Sequence, residues 1–250
     1  MKKTAFLLVA LMAISLSLAA QNTFKGIVKY KVESSGEVAF QLPAEAATAE
    51  VRVSGNDMST SGAVFMSNPF AEQIVVNNMT VTYCLNYGQL LAYLRNNGSE
   101  FTYQGDGKLL SKHTFKESEA DSLTIVDTEP GHYYFEYVDG EMREIAGVQA
   151  KKVILHSYDA EGNDQPTVMW YSDEIGPKYN FLFMGLKGMP LMCKQNIGEG
   201  KAVTYTAIEV VKGKVKEGDF LLPYGYEQLS DEDMQTLGTE IQEELELLQE

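Results

Sequence analysis

The chain has 250 residues, of which 20 are Lys or Arg and 35 are Asp or Glu, giving a net charge of −15. A surface of that sign repels phosphate backbones and excludes nucleic acid as a partner. Hydrophobic residues make up 44%, enough for a chain of this length to bury a full core in one domain without metal or disulfide staples.

At the N-terminus, Lys2 and Lys3 precede an apolar run from Ala5 to Leu18 that closes on the small residues Ala19 and Ala20. That order is a secretory signal peptide over residues 1–20. Residues 21–250 are then the mature protein, expected to be a single β-rich domain in the periplasm or outer envelope. Removing Lys2 and Lys3 leaves 18 basic against 35 acidic residues, or −17. No later segment reaches the roughly 20 apolar residues that a transmembrane helix requires, so no such segment is expected in the mature chain.

From Phe24 onward the pattern is one of strands. Phe24, Gly26, Val28, Tyr30 and Val32 alternate with Lys25, Lys29, Lys31 and Glu33, the period of two that gives a strand one apolar and one wet face. The same alternation groups Met79, Val81, Tyr83, Leu85 and Tyr87, then Tyr133, Phe135 and Tyr137, then Val153 and Leu155. Pro43–Glu50 is alanine-rich and is the candidate for one short helix. Glycine-bearing stretches at 96–99, 105–108, 138–141 and 198–201 read as hairpin turns. Together these predict about ten strands in a meander long enough to curl on itself.

The C-terminus predicts a helix over about 230–248. Ser230 caps it with Asp233 three residues on, and Leu229 and Met234 hold the positions of a hydrophobic staple. Met234, Leu237, Ile241, Leu245 and Leu248 follow at spacings of three and four on one stripe. Such a stripe either docks on the sheet or, as an acidic amphipathic helix, engages another envelope protein, a role that exposed sheet edges could also serve.

Catalytic templates are missing from the sequence. It has no Gly-x-Ser-x-Gly elbow and no His-Glu-x-x-His. Asp159, Glu161 and Asn163 alternate as the start of a calcium loop would, but the glycine falls two positions early and Trp170 stands where the bidentate Glu belongs, so the stretch reads as a hairpin loop. His113, His132 and His156 sit in separate segments without ligand spacing. Asp173 and Glu174 are adjacent on a strand end and point to opposite faces. No cofactor, metal site or enzymatic activity is expected. Cys84 and Cys193 admit one disulfide closing a loop of about 110 residues, worth up to ~4–5 kcal/mol in the chain-entropy picture, or two buried thiols packing as small hydrophobes.

One stretch resists the ordinary reading. Between a strand ending near Ser172 and one starting near Met189, the chain runs through Phe181, Leu182, Phe183, Met184 and Leu186, where polar turn residues are usual. Tyr171-Ser172-Asp173-Glu174-Ile175 and then Gly185-Leu186-Lys187-Gly188-Met189 resemble the paired motifs of the GLPGLI family, exported Bacteroidetes proteins of unknown function. Ile145–Lys152 resembles that family's strand opening and Phe220–Tyr226 its ending, so the resemblance spans Ile145–Tyr226. It implies a curved antiparallel half-barrel with helix cover, similar to the periplasmic lipoprotein carriers, and implies no catalytic activity. A sheet that curls without closing has a concave face that must be filled by side chains, a helix or an apolar ligand. Trp170, Phe181, Phe183, Met184, Leu186, Met189 and Met192 are the candidates to line such a site for a lipid or other hydrophobic small molecule, or to plug it.

Overall fold

The computed structural model describes residues 24–35, 47–62, 70–116, 133–158, 162–177, 180, 183, 185–198 and 201–247. The signal peptide, Phe181, Met184, Leu248 and the first part of the Pro43–Glu50 stretch lie outside them.

The first meander starts at β1 (Lys25–Ser35) and continues through β2 (Thr48–Ser54), β3 (Asp57–Gly62), β4 (Ala71–Asn77), β5 (Thr80–Asn86) and β6 (Lys108–Thr114). The second starts at β7 (Tyr133–Ile145) and continues through β8 (Val148–Ser157), β9 (Thr167–Ser172), β10 (Met189–Gly198) and β11 (Lys201–Lys212). Antiparallel pairing of β1 with β11 joins the two meanders. The short β12 (Glu227–Gln228) then pairs parallel to β6. The result is one 12-stranded sheet in the order β12-β6-β5-β4-β3-β2-β1-β11-β10-β9-β8-β7, curved and open, with β7 and β12 at opposite margins. Twelve strands exceed the ten or so that an open twisted sheet carries flat, and bulges at Lys29/Tyr30, Ala71/Gln73, Tyr137/Met142 and Pro190/Met192 bend it further.

The core face is set by register. Val28 pairs with Val51, Val53 with Met58, Met58 with Val76 and Val76 with Val81. On the other side of β1, Val32 pairs with Tyr205 and Tyr205 with Cys193. All of these are buried in one apolar cluster. Tyr30 is fully buried among them, and its hydroxyl donates to the Pro190 carbonyl at 2.6 Å, which satisfies the one polar atom that its burial would otherwise strand.

Two helices cover the β5/β6 end of this face. α1 (Gly88–Asn96) begins where the Asn86 side chain accepts from the Gly88 N–H, and it buries Leu91 and Leu94. Gly98 at φ 97° ends it, with the Ser99 N–H reaching back to the Leu94 carbonyl at 3.1 Å. The glycine at 96–99 therefore stops a helix instead of reversing a strand. Of the Pro43–Glu50 stretch, where the sequence places a short helix, Thr48–Glu50 belong to β2 and residues 43–46 lie outside the described residues; among the described residues the helix besides the C-terminal one is α1.

α2 (Asp231–Leu247) is the expected C-terminal helix. Its Ser230 Oγ accepts from the Asp233 N–H at 3.1 Å. Leu237 and Ile241 are buried against Leu91, Leu94, Phe101, Leu85 and Leu109, with Leu229, Met234 and Leu245 packed alongside. On its flank, Glu244 accepts from the Ser99 hydroxyl at 2.6 Å and Glu240 from the Thr102 N–H at 3.2 Å. The stripe docks on its own domain.

Three further expectations need correction. The glycine at 138–141 lies within β7, where four residues bulge out of register between Tyr137 and Met142, and the reversal occurs instead at Ala146 and Gly147 (φ 51° and 76°). The 105–108 stretch leads from α1 into β6 and joins no two strands. β5 is buried on both faces: on the outer one its Thr82 and Cys84 are buried beside Val75 of β4, and the 3-10 turn Glu217–Phe220 lies against the neighbouring β3 and β4, where the Phe220 carbonyl accepts from the Asn77 side chain at 3.1 Å. Gly198 pairs with Lys201 and Tyr158 bridges to Asp164, the antiparallel pairings expected on either side of the turns near 198–201 and 159–164, whose central residues lie outside the described ones.

Candidate functional site

The open margins of the sheet hold apolar side chains that the core does not finish burying. On the β7/β8 side, Phe135 pairs with Leu155 and Tyr137 with Val153, and Val153 pairs with Met169. Val153 and Met169 are fully buried, whereas Phe135, Tyr137 and Leu155 are half-buried and Tyr133 is 36% exposed. On the β5/β6 side, Met79, Tyr83 and Phe115 are half-buried against the same cluster. The two margins thus present a graded apolar surface, closed at the centre of the sheet and open at its edges.

The apolar loop after β9 packs onto the first of these margins. The Tyr137 hydroxyl donates to the Gly185 carbonyl and accepts from the Lys187 N–H, both at 3.1 Å, and its ring meets Tyr171 edge-on at 5.5 Å. Asn180 staples the loop from within: its Nδ2 donates to the Gly188 carbonyl at 2.6 Å and its Oδ1 accepts from the Phe183 N–H at 3.1 Å. Gly188 is required for this approach, since a Cβ there would lie 2.2 Å from the Ser172 carbonyl oxygen. Phe183, Leu186 and Met189 end at 6%, 3% and 0% exposure. Burial of this order makes them part of the core.

Trp170 and Met192 are half-buried and also pack against the core cluster, but from the other side of the sheet. They pair with each other across β9 and β10, and Trp170 also pairs with Lys152. Strand alternation puts this group on the outer face, opposite Met169, Tyr171 and Cys193. The candidate lining residues are therefore split between the two faces of the sheet. The bond considered between Cys84 and Cys193 is likewise not formed. Both are free and buried, on opposite faces, six strand positions apart. Burial first, then the nearby Glu72 carboxylate, pushes the Cys84 thiol up to about 11, and burial raises Cys193 further.

A polar cluster at the outer face of the β7/β8 margin was not legible as a constellation in sequence. His156 Nδ1 lies 2.7 Å from Asp164 and Nε2 3.0 Å from Glu136, and its ring stacks on Tyr134 at 4.5 Å. Burial works to lower the imidazole pKa, but the hydrogen bonds and charges of Asp164 and Glu136 outweigh it and the net direction is upward. With both nitrogens engaged, His156 clamps the β8–β9 hairpin to β7. Asp173 pairs with Lys151 at 2.5 Å. Among the described residues no group of His, Cys, Asp and Glu is placed to hold a metal ion.

A cleft of about 360 Å³ opens beside the β11 bulge, lined by Lys29, Tyr30, Ala49, Glu50, Ser61 and Ile208 among others. Its lysine pairs with Glu209 at 2.7 Å, and it brings together no convergent chemistry.

No protein-family model and no curated protein matches the chain, so the resemblance to the GLPGLI family stands on its motifs alone. Among solved structures, the chain is similar to a LolA superfamily protein from Nitrosomonas europaea, at 10% identity and a TM-score of 0.32, over 82% of this chain and 93% of that one. A likeness so slight adds nothing to the fold assignment, which rests on the strand order itself.

Proposed function

We propose that the chain is a non-catalytic, exported protein of the cell envelope that holds a lipid or other hydrophobic molecule against the core face of its open sheet. The observation that carries this reading is the graded margin, where Phe135, Tyr137 and Leu155 at one end of the sheet and Met79, Tyr83 and Phe115 at the other pack against one core cluster without being fully buried. Large apolar side chains left half-wet on the concave side of a sheet are the usual lining of a hydrophobic site. Export rests on the basic and apolar order of residues 1–20. The loop that buries Phe183 and Leu186 acts in this reading as the fixed support of Tyr137, which it holds through Gly185 and Lys187.

The test is binding of a neutral fluorescent probe, N-phenyl-1-naphthylamine. Enhancement that is displaced by phospholipid or fatty acid, and that weakens about tenfold in Leu155→Glu, supports the reading. An unresponsive probe, or one that Leu155→Glu leaves unchanged, overturns it.

A second reading, an interaction module, draws on β7. This 13-residue strand ends the sheet, pairing with β8 alone. Its bulge and its exposed Glu136, Asp139, Glu141 and Glu144 are the devices by which edge strands avoid pairing, which ranks it below ligand binding. The acidic helix does not favour it either, since the apolar stripe of α2 is occupied by its own domain.

A further inference from the structure

The sequence contains three arginines, and two have ordinary partners. Arg52 pairs with Glu50 at 2.5 Å, and Arg95 donates to the carbonyls of Tyr103 and Gly105. Arg143 is different. It leaves β7 opposite the small Ala150 of β8, and its guanidinium lies over the Trp170 ring at 4.1 Å. One terminal nitrogen meets the Met192 sulfur, a weak acceptor, and Nε is buried with no acceptor. Among the described residues no carboxylate pairs with it, in a chain with 35 acidic residues. The neighbouring cation Lys152, beside Trp170 in register, is held by Glu141 at 3.0 Å.

Stacking occupies the flat face of a guanidinium and leaves its N–H donors in the plane of the fork; with Nε enclosed and one terminal nitrogen on Met192, the end of the fork between the two terminal nitrogens is the edge that would receive a carboxylate or phosphate. The stacked ring also fixes the fork before any anion arrives, so little side-chain freedom is lost on binding. Beyond Trp170 along β9, Val168 is 50% exposed on the same face, and its cross-strand partner Ile154 is half-buried. A cation with unsatisfied donors therefore sits at one end of an apolar strip on the outer face. The net negative charge of the chain opposes anions at long range, but at physiological ionic strength it is screened beyond about 8 Å and does not cancel a direct contact.

We propose that Arg143, held flat by Trp170, recognises the oxyanion headgroup, carboxylate or phosphate, of an amphiphile whose apolar chain lies along Trp170, Val168 and Met192. This outer-face site is separate from the core-face margin and stands or falls independently of it.

Trp170 is the only tryptophan in the sequence, so its emission reports from this site, and the comparison with Arg143→Gln separates it from binding at the core-face margin. The full mature chain is titrated with octanoate, with inorganic phosphate and with neutral octyl glucoside, all below micelle-forming concentrations. The expected result is a saturable change with octanoate, at least about tenfold weaker with octyl glucoside and in Arg143→Gln, and intermediate in Arg143→Lys, which keeps the charge and loses the fork. Equal binding of inorganic phosphate would overturn the amphiphile in favour of a free oxyanion. The absence of any saturable anion effect, or unchanged octanoate binding by Arg143→Gln, would overturn the site. Melting curves establish that the variants fold. Should Arg143→Gln fail to fold, the wild-type Trp170 indole N–H resonance decides: it must shift on adding octanoate, and a resonance that stays put refutes the proposal.

Discussion

Truncating Phe183 to alanine tests whether the apolar loop is core. Phe183 is 6% exposed, and a buried phenylalanine removes about 200 Å² from water, worth about 5 kcal/mol at ~25 cal/mol per Å² as an upper bound. Alanine retains part of that area and the unfolded chain hides some of the rest, which brings the expected loss to about 3–4 kcal/mol. The loop cannot easily collapse into the vacated space, because the Phe183 N–H is tied to Asn180 and its carbonyl accepts from the Leu186 N–H at 3.0 Å. Urea unfolding of delipidated protein should show the midpoint falling with an unchanged slope. Phe183→Leu, which refills most of the volume, should cost about 1 kcal/mol. A loss below about 1 kcal/mol for Phe183→Ala would mean that this side chain faces an empty site, and the support-and-margin account would be wrong.

The folded-state pKa of His156 lies above its ordinary 6.5, so its clamp contributes fully below the unfolded pKa and is lost as pH rises through the folded value. The melting-temperature gap between wild type and His156→Gln should therefore narrow across that window, and a gap that widens with pH contradicts the assignment. Leu237→Ala should destabilise the protein by about 2–4 kcal/mol, because Leu237 is 2% exposed between α1 and the sheet; a neutral result in calorimetry would undo the docking of α2. Ellman titration of the freshly purified protein should find both thiols unreactive when folded and both reactive in denaturant. Protein that stays unreactive in denaturant until reduced would restore the disulfide.

Much of the fold was legible because the physics that sets it is local. Alternation along Phe24–Val32 fixed the buried face of β1, and Ser230, Asp233 and the Leu237/Ile241 spacing fixed α2 and its docked side. What escaped was decided by contacts distant in sequence. Gly98 and Gly140 are true backbone signals, but a glycine at positive φ serves a helix stop, a bulge or a hairpin equally well, and only the surrounding pairing selects among them. β5 looked half-buried because nothing in its own sequence announces that both of its faces are buried, or that residues 217–220 return against the neighbouring β3 and β4. The candidate lining set was compiled from one contiguous stretch, so it mixed residues of both faces. Trp170 and Met192 fall outside the core face by strand alternation and the bulge between Pro190 and Met192. Alternation put Phe135 with Tyr137 on one strand and Val153 with Leu155 on another, but that the two sets pair, and that they stay half-exposed because the sheet ends at β7, is set by the fold. Arg143 gave no signal at all, since its importance lies in the carboxylate that is not beside it.

Native mass spectrometry of the chain exported to a bacterial periplasm, followed by extraction of whatever co-purifies, bears most directly on ligand binding at the open margin. The account predicts a lipid-sized adduct that Leu155→Glu removes while the protein remains folded. A bare polypeptide mass from material exposed to membranes throughout, or an adduct that survives Leu155→Glu, would contradict it.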